Sequence, residues 1–66
     1  NKAFIEIQNT TDNFSYRLID LLGNVVQSSK LNSTKTEIDL SSLNSGLYIV
    51  EIKDDFEVVN YKLLKL

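Results

Sequence analysis

The chain of 66 residues has no cysteine, histidine, proline, methionine or tryptophan, and only two glycines. Each absence removes a class of structure or chemistry. Without cysteine no disulfide staples the fold, and without cysteine or histidine the usual ligands of structural zinc are missing. A Ser or Thr nucleophile has no histidine to act as its base. No tryptophan offers a sugar-stacking platform, and Phe14, Tyr16, Tyr48 and Tyr61 read as core or mixed positions. Charge of one sign is also lacking. Seven basic residues against nine acidic ones give a net charge of −2, and the basic residues are scattered singly. No basic stripe exists to track a phosphate backbone, which argues against nucleic acid as a partner. The longest apolar run, Leu47 to Val50, is four residues, far too short for a transmembrane segment.

What remains is one small domain, residues 1–66, that must hold itself together with an aliphatic core. A chain of this length buries only about 60% of the surface its unfolded form exposes, so its stability is marginal. Asn1-Lys2, with no initiator methionine and no signal peptide, reads as a cut made inside a longer protein.

Two-residue alternation with β-branched and aromatic residues recurs along the chain, the pattern of an all-β sandwich or barrel. Six strands are expected: Ala3 to Gln8, Phe14 to Asp20, Asn24 to Ser29, Lys35 to Leu40, Leu47 to Lys53 and Phe56 to Leu66. Ile5 and Ile7 should face inward. So should Phe14, Tyr16 and Leu18, then Thr36, Ile38 and Leu40, then Tyr48, Val50 and Ile52. Asn9 to Asn13 and Asp54-Asp55 read as turns, and Lys30 to Thr34 as a polar connection that crosses between sheets. Gly23 is expected to be left-handed, because it carries no Cβ. Ser41 to Ser45 can form one helical turn capped by Ser41 or Asp39, with Leu43 plugging the open end of the core. The last strand, long and apolar, is expected to be partly central. Tight hairpins make antiparallel pairing the default and two small apolar faces make a sandwich. The fold class is therefore all-β, a small antiparallel immunoglobulin-like β-sandwich of six to seven strands.

Catalytic groups are weighed against their structural readings. Ser28, Ser29, Ser41, Ser42 and Ser45 lie in turn-like sequence and read as turn and cap residues, with a Ser–Lys pair the alternative on paper. Asp54, Asp55 and Glu57 could be paired carboxylates for glycoside hydrolysis, but read as a solvated hairpin. Calcium would take clustered carboxylates, yet Asp12, Asp54, Asp55 and Glu57 lack the spacing of a calcium loop. No catalytic, cofactor or metal residue is assigned. Asp20 reads as an Asx-type cap, Tyr48 as a core ring with its hydroxyl at the sandwich edge, and Lys62 and Lys65 either as edge-strand protection or as recognition groups.

Three blocks, taken in order, resemble a family. They are Asp20-Leu-Leu-Gly23-Asn-Val-Val26, then Ile38-Asp39-Leu40-Ser-Ser-Leu43-Asn-Ser-Gly46-Leu-Tyr48-Ile-Val-Glu-Ile52, then Lys62-Leu-Leu-Lys65-Leu66. Together they are similar to the type A C-terminal sorting domain of the type IX (Por) secretion system of Bacteroidetes. The likeness runs from Ile5 onward. A Tyr-Pro-Asn-Pro-like segment that usually precedes the first strand of that family is not matched here.

The resemblance implies a non-catalytic secretion signal at the C-terminus of a covalently fused cargo. Its partners would be the outer-membrane translocon and a sortase-like processing peptidase, and its location the cell surface or the medium, reached through the periplasm. Carried over by position, the signal residues are Asp20, Gly23, Gly46, Tyr48, Lys62 and Lys65. The alternative from a different class is an immunoglobulin-like structural or adhesive module, since fold alone does not fix function. Position discriminates between them: a sorting signal must end its protein, whereas a spacer can sit anywhere.

Overall fold

The computed structural model describes residues 2–7, 13–31 and 34–66. The expected Asn9 to Asn13 turn therefore falls largely outside the described residues, as do Asp12 and Gln8. Six strands occur: β1 Lys2–Glu6, β2 Ser15–Ile19, β3 Val25–Lys30, β4 Lys35–Asp39, β5 Gly46–Lys53 and β6 Val58–Lys65. They form two antiparallel sheets, a pair β1-β4 and a four-stranded sheet in the order β3-β2-β5-β6. The connection from β3 to β4 crosses from one sheet to the other, as the sequence suggested.

The core lies between the sheets. Buried side chains are Ile5 from β1, Tyr16 and Leu18 from β2, Leu31 just after β3, Ile38 and Leu40 from β4 and beyond it, and Tyr48 and Val50 from β5. Phe14, Leu43, Ile52 and Leu63 pack against them. The alternation that defines this set follows from the pleat, which sends successive side chains to opposite faces. Leu31 was not anticipated, because it sits among polar residues. Its N–H donates to the Phe14 carbonyl at 2.9 Å, which extends the β2–β3 ladder by one pair and turns the leucine inward.

Three expectations need correction. β6 is an edge strand, not a central one; β2 and β5 occupy the centre. Apolar content misled here because the sheet opposite β6 has only two strands, so much of β6 stays exposed although half its side chains point inward. Ser41 to Ser45 makes no helical turn. The Leu43 N–H instead closes a four-residue turn onto the Leu40 carbonyl at 3.0 Å. Ser28 and Ser29 lie within β3 and not in a turn.

Between β2 and β3 the register shifts at Leu18/Ile19. The β-bulge adds one residue to β3, brings Val25 opposite Ile19 and leads into the Gly23 turn. On the far side of the same sheet, Gln27 Nε2 donates to the Asp39 carbonyl at 2.7 Å. That bond latches edge strand β3 to the β1-β4 sheet.

Leu18 is fully buried and Ile38 is 2% exposed. Truncating either to alanine removes buried methyl groups and leaves a cavity, at a cost of about 2–5 kcal/mol. A domain of this size has a total stability of about 3–10 kcal/mol. Leu18→Ala is therefore expected to move the urea unfolding midpoint sharply down or to unfold the domain at 25 °C. A midpoint equal to that of the parent would show that this core does not carry the fold.

Candidate functional site

The register gathers the six candidate residues at one end of the four-stranded sheet. β2 ends there at Ile19, with Asp20 and Gly23 in the following hairpin. β5 begins there at Gly46, and β6 finishes there at Lys65. Cross-strand partners run Ile19–Ile49–Lys62 and Gly46–Lys65, with Tyr48 opposite Leu63.

The Asp20 hairpin is built by its own carboxylate. Oδ1 accepts from the N–H groups of Leu22 and Asn24, both at 2.9 Å, and the Gly23 N–H donates to the Asp20 carbonyl at 3.1 Å. Gly23 has φ +90°, a conformation open to glycine and strained for other residues. The same device closes two more strands. Asp39 Oδ1 accepts from the Ser41 N–H at 2.9 Å, and Asp54 Oδ1 accepts from the N–H groups of Phe56 and Glu57 at 2.8 Å. Adjacent carboxylates that look catalytic in the sequence are thus divided, with Asp54 committed to its turn.

These contacts favour the ionised carboxylates. The Asn24 N–H is the chief group holding the Asp20 carboxyl below the usual aspartate range, the Ser41 N–H does so for Asp39, and the Phe56 N–H for Asp54. Glu51 is lowered chiefly by its hydrogen bonds from Arg17, at 2.8 and 3.2 Å across β2 and β5.

The second block forms a corner that joins the sheets. Leaving β4, the chain passes Leu40, turns at Ser41 and Ser42, and enters β5 at Gly46, whose φ of +147° favours glycine. The Tyr48 hydroxyl donates back to the Asn44 carbonyl at 2.7 Å while its ring is buried. This is the arrangement of a tyrosine corner in β-sandwiches. Lys65, half-buried, reaches from β6 and donates its Nζ to the Leu43 carbonyl. Two successive carbonyls of one turn are therefore held by the second and third sequence blocks.

Lys62 and Lys65 do not form one charged patch. Lys65 pairs with Gly46 and Lys62 with Ile49, so an odd spacing of three puts their side chains on opposite faces of β6. Lys65 points to the core side and is engaged with the corner. Lys62 is exposed on the outer face, beside Ile49, and makes no ion pair among the described residues. Lysine spacing carried that signal in the sequence. The bond from Lys65 to Leu43 was not legible there, because it depends on where the corner sits.

A family model for the secretion system C-terminal sorting domain matches residues 1–65. The chain belongs to this family, the C-terminal sorting domains of type IX secretion. No curated protein and no solved structure matches it. A sorting domain of this kind marks its protein for export to the cell surface or the medium in Bacteroidetes, and the family is one of sorting signals.

Two measurements test the local readings. At Gly23 an added Cβ would meet nothing within 4 Å, so substitution costs only backbone strain. Gly23→Val is expected to lose about 1–3 kcal/mol, and a variant as stable as the parent would refute the turn argument. Acid is the second probe. Asp20, Asp39, Asp54 and Glu51 all have depressed folded-state pKa values, so their stabilisation is complete above the unfolded carboxylate value of about 4. It is lost as pH falls through the lower folded values. The urea midpoint should therefore hold down to about pH 5 and drop below about pH 4. Asp20→Asn should flatten part of that drop; an unchanged acid limb would show that Asp20 takes no part in it.

Proposed function

We propose that this sorting domain carries an N-terminally fused cargo through the periplasm to the outer-membrane type IX translocon, and that a sortase-like peptidase then removes the domain as the cargo is attached to an anionic lipopolysaccharide at the surface. The observation that carries the reading is the family match across residues 1–65. The gathering of Asp20, Gly23, Gly46, Tyr48, Lys62 and Lys65 at one sheet end supports it. In this scheme the domain is signal and substrate, never enzyme.

The six residues divide by role. Asp20, Gly23 and Gly46 shape turns. Tyr48 and Lys65 hold the corner through its carbonyls. Lys62, exposed and without a counter-ion among the described residues, is the group placed for direct contact with the translocon. Charge at such a contact governs encounter and selectivity more than raw affinity.

Fusing the sorting domain, behind a native-length linker, to a reporter in a host with this secretion system tests the reading. The parent fusion should reach the surface. Lys62→Ala should leave the domain as stable as the parent to within about 0.5 kcal/mol and still lower delivery, with cargo held in the periplasm. Lys65→Ala should lower delivery and stability together, by about 1 kcal/mol, because it frees the Leu43 carbonyl. Full delivery by the folded Lys62→Ala fusion would reduce Lys62 to edge protection. A parent fusion that never leaves the periplasm would remove the sorting reading itself.

A further inference from the structure

The sandwich is latched on one side and open on the other. Gln27 ties β3 to the β1-β4 sheet. On the opposite side, β1 and β6 flank a cleft of about 270 Å³, walled by consecutive residues of each strand, Ala3 to Glu6 and Tyr61 to Leu63, over Ile38, Val50 and Ile52. Consecutive residues from both strands mean that two backbone edges face the opening.

Hydrogen-bond parity identifies which groups those edges offer. The Ile7 N–H donates to Thr34 at 2.8 Å. By the alternation of an antiparallel ladder, Ala3 and Ile5 then also bond to β4, while Lys2, Phe4 and Glu6 turn their N–H and C=O outward. Likewise the Asp54 N–H donates to the Glu57 carbonyl at 3.1 Å. Val59, Tyr61, Leu63 and Lys65 therefore bond to β5. Val58, Asn60, Lys62 and Leu64 present their backbone groups on the free side of β6, which has no strand neighbour among the described residues. The inner side of this edge is apolar and uncovered: Tyr61 is 57% exposed and Val59 40%, although both point toward the two-stranded sheet.

We propose that the free edge of β6 accepts an extended strand from a protein partner. That strand is apolar at the alternate positions facing the cleft and carries a carboxylate opposite Lys62. Charge decides the occupant. Val58–Lys65 contains two lysines and no acid, so a second copy paired edge to edge would bring the exposed Lys62 of both copies to one joined ribbon with no carboxylate of either β6 to offset them. Like charges across a pair of strands are unfavourable, and opposite charges are favourable. β6 is also the longer of the two open edges, eight residues against five in β1. Added strands gain affinity from main-chain hydrogen bonds and specificity from alternate side chains. The identification of the partner as part of the export machinery rests on the sorting reading above; the acceptor edge itself does not.

The test uses a capped peptide of about nine residues, alternating Thr and Val with Asp at its centre, and a twin with Lys at its centre. The pattern reads the same in both directions, so strand polarity does not matter. Titrated into the domain, the Asp peptide should bind about three- to thirtyfold more tightly than its twin at low salt, with amide shifts at Asn60, Lys62 and Leu64. Lys62→Glu should reverse the order. Asn60→Pro removes an N–H on the free side of β6, away from β5, a position where an edge strand tolerates proline, and it should abolish binding. If that variant fails to fold, Lys62→Glu still decides the matter. Equal binding of the two peptides, shifts confined elsewhere, no binding at about millimolar peptide, or a concentration-dependent dimer through β6 would each overturn the proposal. In the reporter assay, full delivery by a folded Asn60→Pro fusion would overturn the export machinery as the partner of this edge while the sorting reading stands. A parent fusion that is not delivered, with the peptide preference intact, would keep the acceptor edge and remove the sorting reading alone.

Discussion

The fold depends on how the chain passes from the small sheet to the large one. That passage is the corner from Leu40 to Gly46. Its exposed turn would be free to splay, since the chain has no cysteine with which to tie it down. Two side chains prevent this by binding successive carbonyls, Tyr48 on Asn44 and Lys65 on Leu43. A buried ring anchors the first bond, and a strand distant in sequence supplies the second. Leu43 then packs against the core from above. The corner thus ties β4, β5 and β6 into one unit, and the positive φ of Gly46 sets the direction in which β5 departs.

The two sheets are unequal, and much of the surface follows from that inequality. Two strands cannot cover four. One flank is closed by Gln27 and by the buried Leu31, and the other is left open between β1 and β6. Edge strands in monomeric proteins are commonly shortened, bulged or charged against unwanted pairing. β3 has the bulge and the latch, whereas β6 has neither; its Lys62 is the only charge on its outer face between Val58 and Lys65. A lysine there blocks self-pairing while leaving the edge available to an acidic strand, so protection and selective acceptance are one property of the same residue.

Much of this was legible in the sequence, for a physical reason. The pleat makes burial a parity question, so Tyr16, Leu18, Ile38, Tyr48 and Val50 could be placed in the core from alternation alone. Turn chemistry is equally local, and Asp20, Gly23 and Gly46 declare themselves within a few residues. What stayed hidden was non-local. Leu31 is buried because a ladder reaches past the end of β3. The edge position of β6 depends on strand order, which no hydrophobic pattern encodes. The odd spacing of Lys62 and Lys65 already sets them on opposite faces of a strand, but only the register shows which is the structural lysine and which the exposed one.

A sorting domain of 66 residues has only a small core with which to fix its turns. The sorting domain meets this constraint with local devices. Each Asx turn is closed by a carboxylate and N–H groups at most four residues away, so it forms with no help from elsewhere in a longer chain. The sheet end that gathers the candidate residues is built from the Asp20 hairpin and the corner, and its shape is fixed by hydrogen bonds between the backbone and the side chains of Asp20, Tyr48 and Lys65. On the proposed reading, a receptor at this sheet end meets strand edges and turn backbones, which vary less with side-chain identity than exposed side chains do. Selectivity then falls to the few side chains that project from that frame. In this chain the exposed cation on it is Lys62, set between the apolar residues Ile49 and Leu64 on the outer face of the sheet.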